Sequence, residues 1–436
     1  MRAFFPVLSL MTWMLLAPVS SMAQEIPLNG EAVEERADTG TDSRIPLEEI
    51  RRYVAVYNAI KAAYVDPVDD RKLMQSAVRG LLINLDPHST YFDKEDAQAF
   101  DEQTSGAYEG IGVEVIQQSD GTLKVISPID DTPATRAGVR AGDVIVAVDG
   151  KPISQVDGME PLRGAPGTPV TLTIVRKGAA KPLTLTLTRE VIRIASVRSR
   201  MLEPGYGYIR ISTFQADTDA DFRANVEQLQ TQAKGHLRGL VLDLRNNPGG
   251  LLTTAVQVAD DLLDAGVIVS TRGRLPISDS QFNAGPGDVM LGAPIVVLVD
   301  AGSASASEVL AAALRDNHRA RLVGSRTFGK GSVQTVLPLD NGDSVKLTTA
   351  RYYTPDGKSI QASGIVPDVI LHPDPGAVDP VAMALPELSE AILPGHLRGD
   401  DEVEGTASGN GTVTGETLPG DAPIAAALAE LKKMTP

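Results

Sequence analysis

Apolar residues recur along this chain with two different periods, and each change of period marks a boundary. Between Pro46 and Ile60, residues Leu47, Ile50, Val54, Tyr57 and Ile60 return at three- and four-residue steps, which predicts one face of a helix. A second helix is expected over Asp69 to Leu85, with Leu73, Ala77, Val78, Leu81 and Leu82 inward and Asp86-Pro87 as its stop. From about Ala97 to Glu190 the period falls to two. Gly110 to Ile116, Leu123 to Ile126, Val144 to Val148, Val170 to Val175 and Leu183 to Leu187 alternate as strands. Ser119-Asp-Gly121, Asp149-Gly150 and Lys177-Gly178 separate them as turns, and Thr132 to Gly138 reads as a short helix with a glycine stop.

From Tyr206 to about His372 short apolar runs alternate with helical patterns. Strands are predicted at Gly207 to Ile211, Gly239 to Leu244, Pro294 to Val299 and Arg321 to Val323. Helices are predicted at Asp219 to Ala233, Leu251 to Leu263 and Ser305 to Asp316, and β structure returns at Gly331 to Leu339 and Ser344 to Tyr352. That alternation implies an α/β core with both sheet faces covered. Gly399 to Asp421 reads as a linker, and Ile424 to Met434 as one amphipathic helix.

Composition narrows the function classes. A chain of 436 residues with 42% apolar content can build two or three cores. The formal net charge of -16 argues against nucleic acid as a partner. Cysteine is absent, which excludes disulfides, thiolate metal sites and a cysteine nucleophile. At the N-terminus, Arg2 precedes an uncharged run from Phe4 to Val19 and then Ser21-Met22-Ala23. This predicts a secretory signal cleaved after Ala23, because the run falls short of the ~20 residues a spanning helix needs. The acidic segment from Gln24 to Arg44 has no periodicity and reads as a disordered lead.

Chemistry is concentrated at three junctions. In Asp300-Ala-Gly-Ser-Ala-Ser-Ala-Ser-Glu308 an apolar strand turns sharply into a helix. Ser305 with Glu308 matches a helix capping box, which is the purely structural reading. The same position suits a nucleophile, because free N–H groups and a positive dipole end lie beside it. Ser303, Ser305 and Ser307 stand at alternate positions, so the pattern alone leaves the choice among them open. The second junction, Phe328-Gly-Lys-Gly-Ser-Val-Gln334, places Lys330 and Gln334 four apart on what reads as a strand, hence on one side. A lysine acts as a base only when neutral, so burial must lower its ordinary value of about 10.4, and Gln334 could orient it without adding charge. Gly324 to Gly331 differs by one residue from a phosphate-binding loop, but Gly331 replaces the required hydroxyl and a strand follows instead of a helix. The third junction, Leu242-Asp-Leu-Arg-Asn-Asn-Pro-Gly-Gly-Leu251, offers backbone N–H groups at Gly249 and Gly250 as a second oxyanion donor. His88, His236, His318, His372 and His396 have no metal-ligand spacing, so no metal site and no cofactor are expected.

Assembled, these residues resemble the carboxyl-terminal processing proteases, also called tail-specific proteases. The likeness runs from about Leu47 to His372. It is carried by Gly302 to Glu308, Thr327 to Gln334, Asp243 to Gly250, Tyr108 to Val113 and Asp86-Pro-His-Ser-Thr-Tyr91. The resemblance implies an α+β multidomain protein: a crotonase-like ββα core, an inserted β-rich PDZ domain and an N-terminal helical segment. The expected divisions are a signal over 1–23, a lead over 24–44, helices over 45–96, the PDZ domain over 97–190, the core over 191–373 and a tail over 374–436. It further implies Ser305 as nucleophile, Lys330 as general base and Gln334 as its orienting residue. Backbone N–H groups of Ala306 and of Gly249 or Gly250 would form the oxyanion hole. Gly110, Ile111, Gly112 and Val113 would bind a free C-terminal carboxylate, with the peptide adding a strand. Arg163 would link peptide binding to the core. The expected partners are proteins with apolar C-terminal tails, with an adaptor protein and a homodimer through the N-terminal helices as open alternatives, in a periplasmic setting. The contrasting reading is a non-catalytic PDZ adaptor.

Overall fold

The computed structural model describes residues 45–153, 159–373, 389–400, 416–418 and 422–435. The expected signal and lead lie outside them, as does most of the linker from Gly399 to Asp421. The chain divides into two compact units between Asp69 and Asp70. The first carries α1 (Leu47–Ala63), whose acidic first turn and terminal Lys61 suit the helix dipole.

The second unit opens with α2 (Asp70–Ile83), β1 (Thr90–Phe92) and α3 (Lys94–Ser105). Leu82 is buried on α2, but Leu81, expected inward, is 73% exposed. The β texture expected from Ala97 begins only after α3. That helix is polar, capped by Asp93 accepting from Asp96 N and closed by Gly106 in the left-handed region. Next come β2 (Ala107–Gly110), β3 (Val113–Gln117), β4 (Leu123–Pro128), α4 (Pro133–Arg136), β5 (Val144–Val148), β6 (Lys151–Pro152), β7 (Pro169–Val175), β8 (Leu183–Thr188) and β9 (Glu190–Arg193). The strand expected over Gly110 to Ile116 is broken at Ile111-Gly112, because β2 pairs β9 while β3 joins the sheet β3-β4-β5-β7-β8. Ile111, Val125, Ile145, Val170, Leu172 and Ile174 pack the core of this small domain.

The core domain follows as β10 (Val197–Glu203), β11 (Tyr206–Ile211), α5 (Thr218–Ala233), β12 (Gly239–Asp243), α6 (Leu252–Asp260), β13 (Val267–Gly273), β14 (Ser280–Asn283), β15 (Ile295–Val299), α7 (Ala306–Asp316), β16 (Ala320–Gly324), β17 (Ser332–Pro338), β18 (Ser344–Tyr353), β19 (Val369–Pro373), β20 (Glu416–Leu418) and α8 (Ala422–Met434). One sheet runs β10-β11-β12-β15-β16-β19-β20 and is parallel except for the β10–β11 pair. Its central strands are buried on both faces, so their apolar runs are continuous. Leu240, Leu242, Ile295, Val297 and Val299 face a core shared with α5, α6 and α7. Val241, Val296 and Leu298 face the other way, against Ala427 and Leu431 of α8. A second, antiparallel sheet links β1, β18, β13 and β14, with β17 on β18. Among the described residues no helix is long and apolar enough to cross a membrane, and no cluster of His, Asp or Glu could hold a metal ion.

Gly239 shows how closely the tail helix approaches the sheet, since a Cβ there would stand 2.9 Å from Leu431. Leu431 is fully buried. Leu431→Ala is therefore expected to destabilise the core by about 2–5 kcal/mol, measured by urea unfolding.

Candidate active site

β15 and α7 set Ser305. The strand ends at Val299, the chain turns through Asp300-Ala-Gly302, and Ser305 caps α7 with φ 56° and ψ -118°. That backbone is costly for a residue with a Cβ, by about 1–3 kcal/mol, and persists only where surroundings enforce it. The surroundings are explicit. Ser303 Oγ donates to Leu244 O at 2.8 Å, and Ser307 Oγ donates to Asn247 O at 2.9 Å and Ala304 O at 2.8 Å. Both flanking hydroxyls are thus committed to holding the loop. Ser305, 7% exposed, has the buried Tyr352 hydroxyl beside its side chain and joins Glu308 in the capping box of α7. Burial pushes the Tyr352 phenol up to about 12, so it stays neutral.

The Asn246 to Gly250 turn lies against this loop. Asn247, fully buried, accepts from Ala304 N at 2.9 Å through its carbonyl and donates from Nδ2 to Ile211 O at 3.0 Å. Gly249 has φ +103°, and a Cβ there would lie 2.9 Å from Ser305 Cβ and 3.0 Å from Ala306 N. Only glycine allows that approach. The Gly249 N–H donates to Asn247 Oδ1 at 2.9 Å. The N–H groups of Gly250 and Ala306 have no partner among the described residues, so these two remain open as oxyanion donors. At the end of β12, Asp243 and Arg245 form a buried ion pair at 2.5 Å that fixes the start of the turn.

Lys330 sits in a loop just before β17, not within the strand. A bulge between Val333 and Gln334 further breaks the simple alternation expected to put Lys330 and Gln334 on one side. Lys330 is largely buried, and burial, then the charge of Lys346, lowers its pKa from the ordinary value of 10.5, while Glu390, Asp86 and Glu308 oppose the shift. Its amine makes no hydrogen bond to Ser305 or Gln334 in this structure. Gln334 instead donates to Ser332 Oγ at 3.0 Å and Thr348 Oγ1 at 3.3 Å. Thr348 Oγ1 donates in turn to Asp86 Oδ1 at 3.1 Å, which brings the Asp86-Pro-His motif to the site.

Glu308 joins the two loops. Its fully buried carboxylate accepts from Ser305 N at 2.8 Å, Gly329 N at 2.8 Å, Lys330 N at 2.9 Å and the Thr327 hydroxyl. The backbones of Ser305 and Lys330 are therefore tied to one side chain. Burial pushes its pKa up to about 7, against the pull of those donors. Sequence spacing marks Glu308 as part of a capping box, and its second set of ligands, from Thr327 to Lys330, has no sequence signal.

The remaining expected residues lie in the small β domain. The carbonyls of Ile111 and Gly112 accept from Ala134 N at 2.9 Å and Ile129 N at 3.0 Å, while the N–H groups of Ile111 and Gly112 have no partner among the described residues. Gly112 has φ +79°, and a Cβ there would stand 2.3 Å from Thr132. Gly110 is buried where β2 ends and Val113 begins β3, so the loop opens beside a strand edge. It borders a groove of about 1080 Å³ whose lining includes Tyr108, Ile111, Val113, Leu162 and Arg163. Arg163 pairs with Glu102 of α3 and stands 5.5 Å from the Tyr108 ring centre. It makes no contact with Lys330 or Gln334.

Comparison with known proteins identifies three segments. Residues 205–371 match peptidase family S41, residues 110–187 match a PDZ domain, and residues 11–96 match the activating protease CtpB N-terminal domain. The chain is 42% identical over 400 residues to a carboxy-terminal-processing protease of Bartonella bacilliformis, covering 89% of this chain and 87% of that one. It is 37% identical over 324 residues to the carboxy-terminal processing protease CtpA of Bacillus subtilis, covering 72% and 67%. A solved structure of a photosystem II D1 C-terminal processing protease is 34% identical, with TM-score 0.43, covering 75% of this chain and 93% of that chain.

The raised pKa of Glu308 has a defined consequence for stability. The folded state holds that proton more tightly than the unfolded chain, whose value is near 4.5. Its stabilising contribution is full below that value and is lost as pH rises through about 7. Replacement by Gln removes the titration. Urea unfolding should therefore show the difference between wild type and Glu308→Gln moving in the variant's favour from pH 5 to pH 8, and a constant difference would refute the assignment.

Proposed function

The chain belongs to the carboxy-terminal processing proteases of peptidase family S41, serine-type peptidases here carrying a PDZ domain, and from that premise we propose that it captures protein C-terminal tails and cleaves them with a Ser305–Lys330 dyad. The observation that carries this reading is the shared carboxylate of Glu308, which ties the serine's backbone and the lysine's backbone to one point. A nucleophile and a base must keep a fixed separation, and misplacement by ~1 Å can cost about 10²-fold in rate.

In the proposed reaction, Lys330 Nζ, whose pKa is lowered by burial and by Lys346, takes the proton of the Ser305 hydroxyl when it is in its neutral form. Oγ attacks the peptide carbonyl carbon, and the oxyanion is held by the N–H groups of Ala306 and Gly250. The lysine ammonium then gives its proton to the leaving amine, which completes the acyl-enzyme. Water deacylates it with Lys330 again as base. Gln334 spends its amide N–H groups on Ser332 and Thr348, which leaves its carbonyl oxygen as an acceptor for the ammonium. The PDZ loop receives the substrate's free carboxylate on the N–H groups of Ile111 and Gly112, with apolar side chains of the tail in the groove beside Leu162 and Val113. Arg163, paired with Glu102 at the groove, is the residue placed to sense an arriving carboxylate. The segment 1–23 directs the chain across the inner membrane to the periplasm, and N-terminal sequencing of the mature protein should start at Gln24.

With β-casein as substrate, Ser305→Ala and Lys330→Ala should each abolish cleavage while leaving the fold intact, and retained turnover in either would end the dyad. For wild type, kcat/KM should rise with pH and level off below 10.5, the ordinary lysine value. A profile that falls above neutrality would count against the lysine base. A peptide with a C-terminal amide should bind at least about tenfold more weakly than the free acid in fluorescence polarisation, and equal affinity would exclude carboxylate capture.

A further inference from the structure

The outer side of the Lys330 loop is covered by residues from the far end of the chain. Glu390 opens a short 3-10 turn, Glu390–Ile392, and its N–H donates to Phe328 O at 2.9 Å. Its carboxylate is fully buried and lies 2.8 and 3.0 Å from His88 Nε2 and 3.0 Å from Gln361 Nε2. Gln361 Oε1 accepts from Gly331 N at 2.9 Å, and its Nε2 also donates to Leu397 O at 2.9 Å. Peptide groups on both sides of Lys330 are thus hung on this segment, one directly and one through Gln361. There is no slack in the attachment. A Cβ at Gly331 would stand 2.5 Å from Gln361 N, and a Cβ at Gly399 would stand 2.4 Å from Gln361 O. Arg351 closes the far end by pairing with Asp400 at 3.0 Å.

Burying a carboxylate is costly unless it is hydrogen-bonded, and Glu390 has His88 Nε2 and Gln361 Nε2 against it. The charged groups facing Lys330 are Lys346 from β18, Asp86 from the loop before β1, Glu308 from α7 and Glu390 from the tail. Three of these have other tasks: Asp86 caps its own loop at His88 N and Ser89 N, Glu308 holds Ser305, and Lys346 lies over the Phe92 and Phe100 rings. Glu390 is delivered by a segment whose polar contacts reach Phe328 O of the lysine loop, Gln361, His88 and Arg351.

We propose that Ser389–Asp400 is a strap that completes the active site, with Glu390 as a positioning residue that holds the Lys330 loop and sets the field at its amine. The inference rests on Lys330 being the base. Its sign follows from charge. A nearby carboxylate favours the ammonium form, so removing it lets Lys330 lose its proton at lower pH.

The experiment measures kcat and kcat/KM against pH for the full mature chain on a quenched fluorescent peptide. Glu390→Gln should lower kcat several-fold and move the rising limb of the profile down by roughly 0.5–1 pH unit. Glu390→Asp should keep the limb near its wild-type position. A limb unmoved in folded Glu390→Gln overturns the proposal, because a brick without an electrostatic role would give that result. Should Glu390→Gln not fold, Glu390→Asp decides: reduced kcat at unchanged melting temperature supports positioning, and wild-type kcat overturns it. Lys330→Ala, run in parallel, separates the two ideas, since turnover in that variant sinks the base assignment and not the strap alone.

Discussion

Two loops that meet at the site come from different parts of the core, and a single buried carboxylate takes hydrogen bonds from both. Glu308 is the first-turn residue of α7, so its position is set by the helix, and the helix is set by packing against the parallel sheet. Everything reactive hangs from that arrangement. Ser305 is held by its own N–H, Lys330 by its N–H, and the connecting Thr327 by its hydroxyl. The desolvation that raises the Glu308 pKa is the same desolvation that lowers that of Lys330. A dry site is required for an amine base, and a dry carboxylate survives in it because several donors converge on it.

The small β domain solves a different problem with related means. Its Ile111-Gly112 loop has both carbonyls engaged by neighbouring N–H groups, so the N–H groups of Ile111 and Gly112, which have no partner among the described residues, keep a fixed direction. Gly112 is confined against Thr132, which keeps the loop narrow. Both places leave backbone N–H groups without a partner among the described residues, while neighbouring peptide groups are held by hydrogen bonds.

The core of the fold was legible in the sequence because its signal is local. Strands such as Ile295–Val299 and Gly239–Asp243 are continuous apolar runs, and β7 and β8 alternate cleanly. Elements whose pattern is weak were not legible. The helix Lys94–Ser105 is almost wholly polar and is marked mainly by its Asp93 cap, and Val267–Gly273 mixes Ser, Thr and Arg into a strand. The Gly110 to Ile116 run looks continuous because the break at Ile111-Gly112 depends on which partner each half pairs with. The site was half legible. Ser305, Lys330 and the Gly249-Gly250 turn stand out by residue type. Glu308 shows only as a capping-box partner and Glu390 not at all, because a glutamate in a sequence otherwise looks like surface charge. His88 and Glu390 are 302 positions apart, and no local pattern announces such a pair.

The left-handed backbone at Ser305 restricts which side chains could ever serve there. A β-branched residue carries a second heavy group into a region already crowded at φ 56°, so threonine is closed to this turn even though its hydroxyl has the right chemistry. Cysteine, with a single γ atom, meets no such obstacle. The corner therefore admits a side chain with a single γ atom and closes itself to a branched one.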